Sequence, residues 1–223
     1  MRLALPGAAA LAVCGALAAQ PLAAQPGLFT PGAEVAPRPG CADEILAAER
    51  RLDIPGNWLL AIGLQEAGRA GDRGLEIWPW AVNGDGRGYF AESRRAAQAH
   101  VRALRRDGVR SIDVGCMQIN LRWHPDAFAS LDEAFDPVAN VAYAARFLSR
   151  LKRQTGSWRA AAARYHSATP ERAEDYLLGL AANMILARDL AAGAGAGGSR
   201  AAFFTASTGP ATASGAVAVR EGP

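Results

Sequence analysis

The order of apolar and polar positions predicts mainly helices. Asp43 to Leu52 is helical in pattern, Asp53-Ile54-Pro55-Gly56 breaks it, and a second apolar helix runs from Trp58 to about Ala67, so a helical hairpin opens the domain. Around Trp78-Pro79-Trp80-Ala81-Val82-Asn83 the helical period disappears. Gly84-Asp85-Gly86 followed by Arg87-Gly88-Tyr89-Phe90 predicts a small hairpin or wing. An arginine-rich helix from about Ser93 to Gly108 carries Ala97, Val101 and Leu104 on one side, and Gly108 supplies a left-handed stop. Asp113 to Asn120 is too short and too mixed to assign by period. Beyond His124-Pro125, Ser130 and Glu133 can box-cap a short helix. Asp136 as N-cap, Pro137 at the first helical position and Gly156 past the end bracket a long helix with a stripe of Val138, Val141, Ala145 and Leu148. Ser157 caps a shorter helix through Tyr165, and Thr169-Pro170 opens a last one reaching toward Leu190 despite Gly179. The pattern therefore gives one mostly α domain with a small β element.

The chain ends change this picture. Arg2, the apolar run from Leu3 to Leu17 and the small residues before Gln25 have the layout of a cleaved secretory signal, read here as residues 1–24. Cleavage after Ala18 or after Ala24 both fit, and either removes Cys14; a lipid anchor at Cys14 is the minor reading, because Val13 is not small. Residues 25–40 form a Pro/Gly-rich linker and residues 191–223 a disordered low-complexity tail, leaving 41–190 as the folded domain. No later stretch approaches the roughly 18 to 20 apolar residues of a membrane span. The expectation is an exported, soluble, monomeric protein of the periplasm. Its net charge of +3 suits an acidic polymer without implying nucleic acid, and the arginines from Arg94 to Arg106 read as a solvated helix face. In an oxidising compartment Cys41 and Cys116 are expected to bond to each other. The competing reading, a nucleophilic Cys116 served by His124 or His166, would leave that thiol beside a second cysteine able to oxidise it.

Leu59, Ile62 and Glu66 fall at i, i+3 and i+7, which puts a carboxylate on an apolar stripe close to a helix C-terminus. Burial there, with the negative end of the helix dipole, raises a carboxyl pKa toward what a general acid at neutral pH requires. The bland alternatives are that Glu66 reaches solvent or pairs with Arg69. Leu60-Ala61-Ile62-Gly63-Leu64-Gln65-Glu66 resembles the catalytic-glutamate helix of SLT-type lytic transglycosylases, relatives of goose-type lysozyme. Gly115-Cys116-Met117-Gln118-Ile119-Asn120 is similar to that family's Gly-Leu-Met-Gln-Ile signature, and Ala163-Arg164-Tyr165-His166-Ser167 to its Ala-x-Tyr-Asn-x-Gly segment. The three motifs in order span roughly residues 40 to 180. The Trp-Pro-Trp-x-x-Asn and Asp-Val-Gly-Cys-Met-Gln segments further resemble small exported members, including some that accompany secretion or flagellar machinery.

The resemblance implies a lysozyme-like α+β fold, peptidoglycan as substrate and no cofactor. Glu66 is expected to protonate the leaving glycosidic oxygen and then act as base, while the muramic 6-hydroxyl attacks to leave a 1,6-anhydro end. It further implies that Met117, Gln118 and Tyr165 line the cleft, with Met117 as wall, Gln118 offering its amide to the sugar and the Tyr165 hydroxyl directed toward Glu66. Departures are Ala67 where the family has a substrate-binding serine, Cys116 in place of leucine, and His166-Ser167 in the Asn-x-Gly region. Asp85 and Asp113 are the acidic residues that could serve as a hydrolytic partner; the preferred readings are a turn residue for Asp85 and a local backbone acceptor for Asp113. Trp78 and Trp80 read as packing. His100, His124 and His166 are too scattered for a metal site, and Ser167 lacks the setting of a serine nucleophile. A hydrolytic muramidase on the same fold and a non-catalytic peptidoglycan-binding component of an envelope assembly remain the rival functions.

Overall fold

The computed structural model describes residues 40–71 and 74–195. The expected signal, residues 25–39 of the linker and the tail from 196 onward lie outside the described residues. Among the described residues, seven helices and six strands follow in the order α1 (Cys41–Arg51), α2 (Trp58–Ala67), β1 (Gly68–Gly71), β2 (Gly74–Ile77), β3 (Ala81–Gly84), β4 (Arg87–Phe90), α3 (Arg94–Arg106), β5 (Ile112–Val114), β6 (Ile119–Asn120), α4 (Leu131–Ala134), α5 (Pro137–Thr155), α6 (Trp158–His166) and α7 (Pro170–Gly195). No described helix is long and apolar enough to cross a membrane.

Two apolar cores organise these elements. The larger is helical and includes Leu59, Leu60, Ile62 and Leu64 of α2 together with Ile45, Val141, Leu148, Ala161 and Leu180 from the surrounding helices. Because Leu59 through Leu64 are all buried, α2 is a central helix wrapped on every side and not an amphipathic one with a single stripe. The smaller core joins Val82, Ile112 and Val114 of the sheet to Ala97 and Val101 of α3 and to Phe135. Its sheet is antiparallel in the order β4-β3-β5-β6. Ile112 and Val114 belong to the smaller core; strand alternation therefore turns Asp113 to the opposite face.

Local signals explain most of the boundaries. The Asp136 side chain accepts from Val138 and Ala139 N–H at 2.9 and 3.2 Å, Pro137 follows it, and Gly156 closes α5 at φ 81°. Val138 departs from its expected stripe: it is 51 % exposed, whereas Val141, Ala145 and Leu148 are buried. The β3–β4 turn has Asp85 and Gly86 at φ 48° and 81°, the left-handed pair of a tight two-residue hairpin, with Asn83 Oδ1 accepting from Gly86 N–H at 3.0 Å. In α4 the Ser130 hydroxyl accepts from Glu133 N–H as expected, but Glu133 returns its carboxylate to Ala129 N–H, one residue before the cap. α7 continues to Gly195, past the expected end at Leu190, and Ala191 still packs on the helical core. Arg94 departs from the solvated-face reading, reaching Asp132 at 3.2 Å and Asp136 at 3.6 Å; Arg95, Arg102, Arg105 and Arg106 are exposed.

Candidate functional site

Glu66 stands at the C-terminal end of α2, one residue before the helix terminus. Arg69 does not pair with it. That guanidinium bonds Glu76 across the β1–β2 hairpin at 2.8 Å and lies over the Trp78 ring, 3.3 Å from its centroid. Glu66 instead accepts a hydrogen bond at 2.9 Å from the hydroxyl of Tyr176 on α7. Although the residue keeps some surface, burial of its carboxyl raises the pKa to about 8; the Tyr176 hydrogen bond pulls it down, and the negative charge of Asp113 pushes it up.

Asp113 lies on β5 facing Asn83 of β3 and Asn120 of β6 in the strand register, so one polar row crosses the sheet. It is 3 % exposed and accepts from the Asn120 amide at 2.8 Å, a side-chain partner in place of the local backbone donor expected for it. Cross-strand pairing supplies that partner, and β5 and β6 are too short to leave a periodic trace in the sequence. Burial raises Asp113 to about 7 against the opposing Asn120 bond. Asp85, in contrast, is the turn residue it was expected to be.

The segment from Gly115 to Asn120 is held from behind by Asn140 of α5. This wholly buried amide donates to Val114 O at 3.0 Å and Ala134 O at 2.9 Å and accepts from Met117 N–H at 2.9 Å. Gly115 has φ 82°, and a Cβ there would stand 2.4 Å from Asn140 Nδ2. Both features require glycine. The adjoining Cys116 is bonded to Cys41 of α1, which removes the thiol-nucleophile alternative.

Each expected cleft residue has a definite place. Met117 is fully buried, its sulfur turned toward Gly63 of α2, so it supports the site from beneath. Gln118 has φ 45°, and its amide nitrogen donates to Ala81 O at 3.1 Å and Gly115 O at 3.0 Å; those donors are spent on the loop. Tyr165 does not direct its hydroxyl to Glu66 but donates at 2.8 Å to Met117 O. The physical reason is proximity of an otherwise unsatisfied buried carbonyl, and the tyrosine that reaches the carboxylate is Tyr176. Tyr165 remains within electrostatic reach: burial and then the Glu66 charge push its hydroxyl pKa well up. Ala67 is buried in the helical core. Trp78 is packed, donating its indole N–H to Ala91 O at 2.6 Å and standing edge-on to Trp80. His124 pairs with the Tyr143 hydroxyl at 2.8 Å, His100 lies against Tyr89, and His166 is stacked on Tyr176.

Tyr176, Asn140 and Glu49 are not singled out by sequence pattern alone. Glu49 of α1 is 5 % exposed and accepts from Leu59 and Leu60 N–H at 2.8 and 3.2 Å, replacing the cap that Asn57 does not provide for α2. A usable signal existed for Tyr176, since it falls at i and i+4 with Leu180 on the buried side of α7, and a buried tyrosine hydroxyl needs a partner.

A carboxylic acid held protonated near neutral pH, with an adjoining hydroxyl fixed on one oxygen, can deliver a proton to a leaving oxygen and later take one back. Comparison with known families gives a match to the family described as Transglycosylase SLT domain over residues 89–175. The matched span holds the Gly115–Asn120 segment and Tyr165; Glu66 precedes it and Tyr176 follows it. No curated protein and no solved structure matches the chain.

Proposed function

We propose, starting from the similarity of residues 89–175 to the transglycosylase SLT domain family, that this chain acts on peptidoglycan as an exported lytic transglycosylase with Glu66 as its acid and then its base. The observation that carries the reading is Glu66 itself, a desolvated carboxyl with a pKa raised to about 8 and a tyrosine hydroxyl bonded to one oxygen. In the first step the protonated carboxyl gives its proton to the oxygen linking the muramic sugar to the next residue, and that bond breaks. The carboxylate then accepts the proton of the muramic 6-hydroxyl as this oxygen closes on the same anomeric carbon. No water is consumed, and the proton count at Glu66 is restored.

Tyr176 fixes which Glu66 oxygen is free to transfer. The negative charge of Asp113 disfavours a second charge in the site and so favours the protonated form of Glu66. Tyr165 and Gln118 border the sugar: Gln118 presents its oxygen to a hydroxyl because its nitrogen is already engaged, and Met117 underlies both. The disulfide and the expected signal suit the periplasm, where an envelope assembly of the secretion or flagellar kind is a fitting partner.

One observation favours a second reading. Asp113 is close enough to Glu66 to raise its pKa, and a second carboxylate could activate water for hydrolysis. The near-complete burial of Asp113 and its bond to Asn120 argue against it. Mass spectrometry of digested peptidoglycan separates the readings: anhydro ends that vanish with Glu66→Gln are expected, and reducing ends would transfer the assignment to a muramidase. Strands bound but never cut by the unaltered protein would support a binding component.

A further inference from the structure

His166, the last residue of α6, lies flat on Tyr176, with ring centroids 4.2 Å apart and 8° between their planes. It is 7 % exposed, and among the described residues its Nδ1 has no hydrogen-bond partner. What the ring does supply is a plane. Its neighbour Tyr165 is tied through its hydroxyl to Met117 O, so the end of α6 connects in one direction to the Gly115–Asn120 segment and in the other to Tyr176. From Tyr176 the connection passes to Glu66 at 2.9 Å.

We infer that His166 is a positioning residue: by stacking on Tyr176 it fixes the plane of that ring and thereby holds the hydroxyl on Glu66. Rotation about the first side-chain torsion of a tyrosine swings the hydroxyl oxygen away from its acceptor, and rotation about the second, whose axis passes through that oxygen, turns the ring plane in which the O–H prefers to lie and so aims its proton elsewhere. The stack restricts both. Where the related motif has asparagine, this chain has an aromatic ring able to provide that restriction. The ring is also kept neutral, its pKa pushed down to about 4 by burial and by the charge of Arg172, so it does not place a cation beside the site that would favour ionised Glu66.

The inference rests on Glu66 being the acid, but its test does not need turnover. The titration of the Glu66 carboxyl, followed by carbon NMR in the full-length protein with Glu66→Gln for assignment, reads the hydrogen bond directly. The groups facing that carboxyl are Tyr176 of α7, Tyr165 of α6 and Asp113 of β5. Tyr176→Phe removes a bond that favours the carboxylate and should raise the midpoint by about one pH unit. His166→Ala should move it the same way, the double variant should match Tyr176→Phe alone, and His166→Phe, which keeps a plane, should remain at the unaltered value. An unmoved midpoint in His166→Ala, or shifts that add in full, overturns the inference. Should the alanine variant not fold, His166→Asn replaces it with the same two outcomes. In turnover, His166→Ala should lower kcat about tenfold at nearly constant KM, with recovery in His166→Phe. Absent anhydro ends with a His166-dependent titration would remove the proposed reaction and leave the inference standing; the reverse pattern would remove the inference alone.

Discussion

Helix α2 has a buried carboxylate at each end, and the two are in opposite situations. Glu49 stands at the N-terminal end, where the helix dipole welcomes negative charge, and accepts two backbone N–H groups. Glu66 stands near the C-terminal end, where the dipole repels it, and accepts one side-chain hydroxyl. Burial is the largest cause of the raised pKa in both, to about 7 for Glu49 and about 8 for Glu66. A raised pKa therefore does not by itself mark a catalytic acid. The partners make the distinction. Glu49 is held by the backbone of the helix it caps, so its oxygen is committed to holding two helices together. Glu66 is held by a removable hydroxyl and has a second carboxylate, Asp113, opposing its ionisation.

The largest effect expected from this difference is on turnover. Glu66→Gln should reduce activity on peptidoglycan on the order of 10³-fold, whereas Glu49→Gln, which retains an oxygen for both N–H groups, should leave it within about threefold; equal losses would abolish the distinction. Next comes Gly115→Ala, which meets both the left-handed backbone and the Asn140 amide. It should lower stability by about 3 kcal/mol in denaturant unfolding and disturb the Glu66 end of α2 through Met117 and Tyr165.

Tyr176→Phe sharpens the comparison further, because no side-chain change can remove the backbone donors of Glu49. A general acid works while protonated, so activity should fall as pH rises through about 8. Without the Tyr176 bond that limb should move to higher pH, with kcat lowered about tenfold; a limb displaced downward would contradict the role given to the hydroxyl. The smallest effect is on stability against pH. A carboxyl raised in the folded state binds its proton more tightly there than in the unfolded chain, so its contribution is full below the unfolded value near 4.5 and is lost as pH rises through about 7. Glu49→Gln should flatten that decline in thermal unfolding between about pH 4.5 and 7, and an unchanged slope would show that Glu49 does not titrate in that range.

How much of this was legible in the sequence follows from the range of the forces involved. α5 was readable because Asp136, Pro137 and Gly156 act on their own neighbours. The β1–β2 hairpin was not, since Gly68–Gly71 and Gly74–Ile77 have no alternating pattern and are joined by the Arg69–Glu76 pair over Trp78. Strands β5 and β6 exist through pairing with each other and with β3. In the site, Glu66 was legible as a charge on an apolar stripe. Glu49 carried the same signal, one helical turn beyond buried Ile45, and was not singled out. Tyr176 was assigned no role because its partner is 110 residues away, and a resemblance to the Tyr165 segment drew the expected contact to the wrong tyrosine.

The central claim, that Glu66 passes its proton to and from sugar oxygens without water, is tested most directly by digesting purified peptidoglycan in ¹⁸O-water and examining the muramic ends. The account predicts anhydro ends with no ¹⁸O, absent when Glu66→Gln replaces the unaltered protein; muramic ends carrying one ¹⁸O would mean that water attacks, and would contradict it.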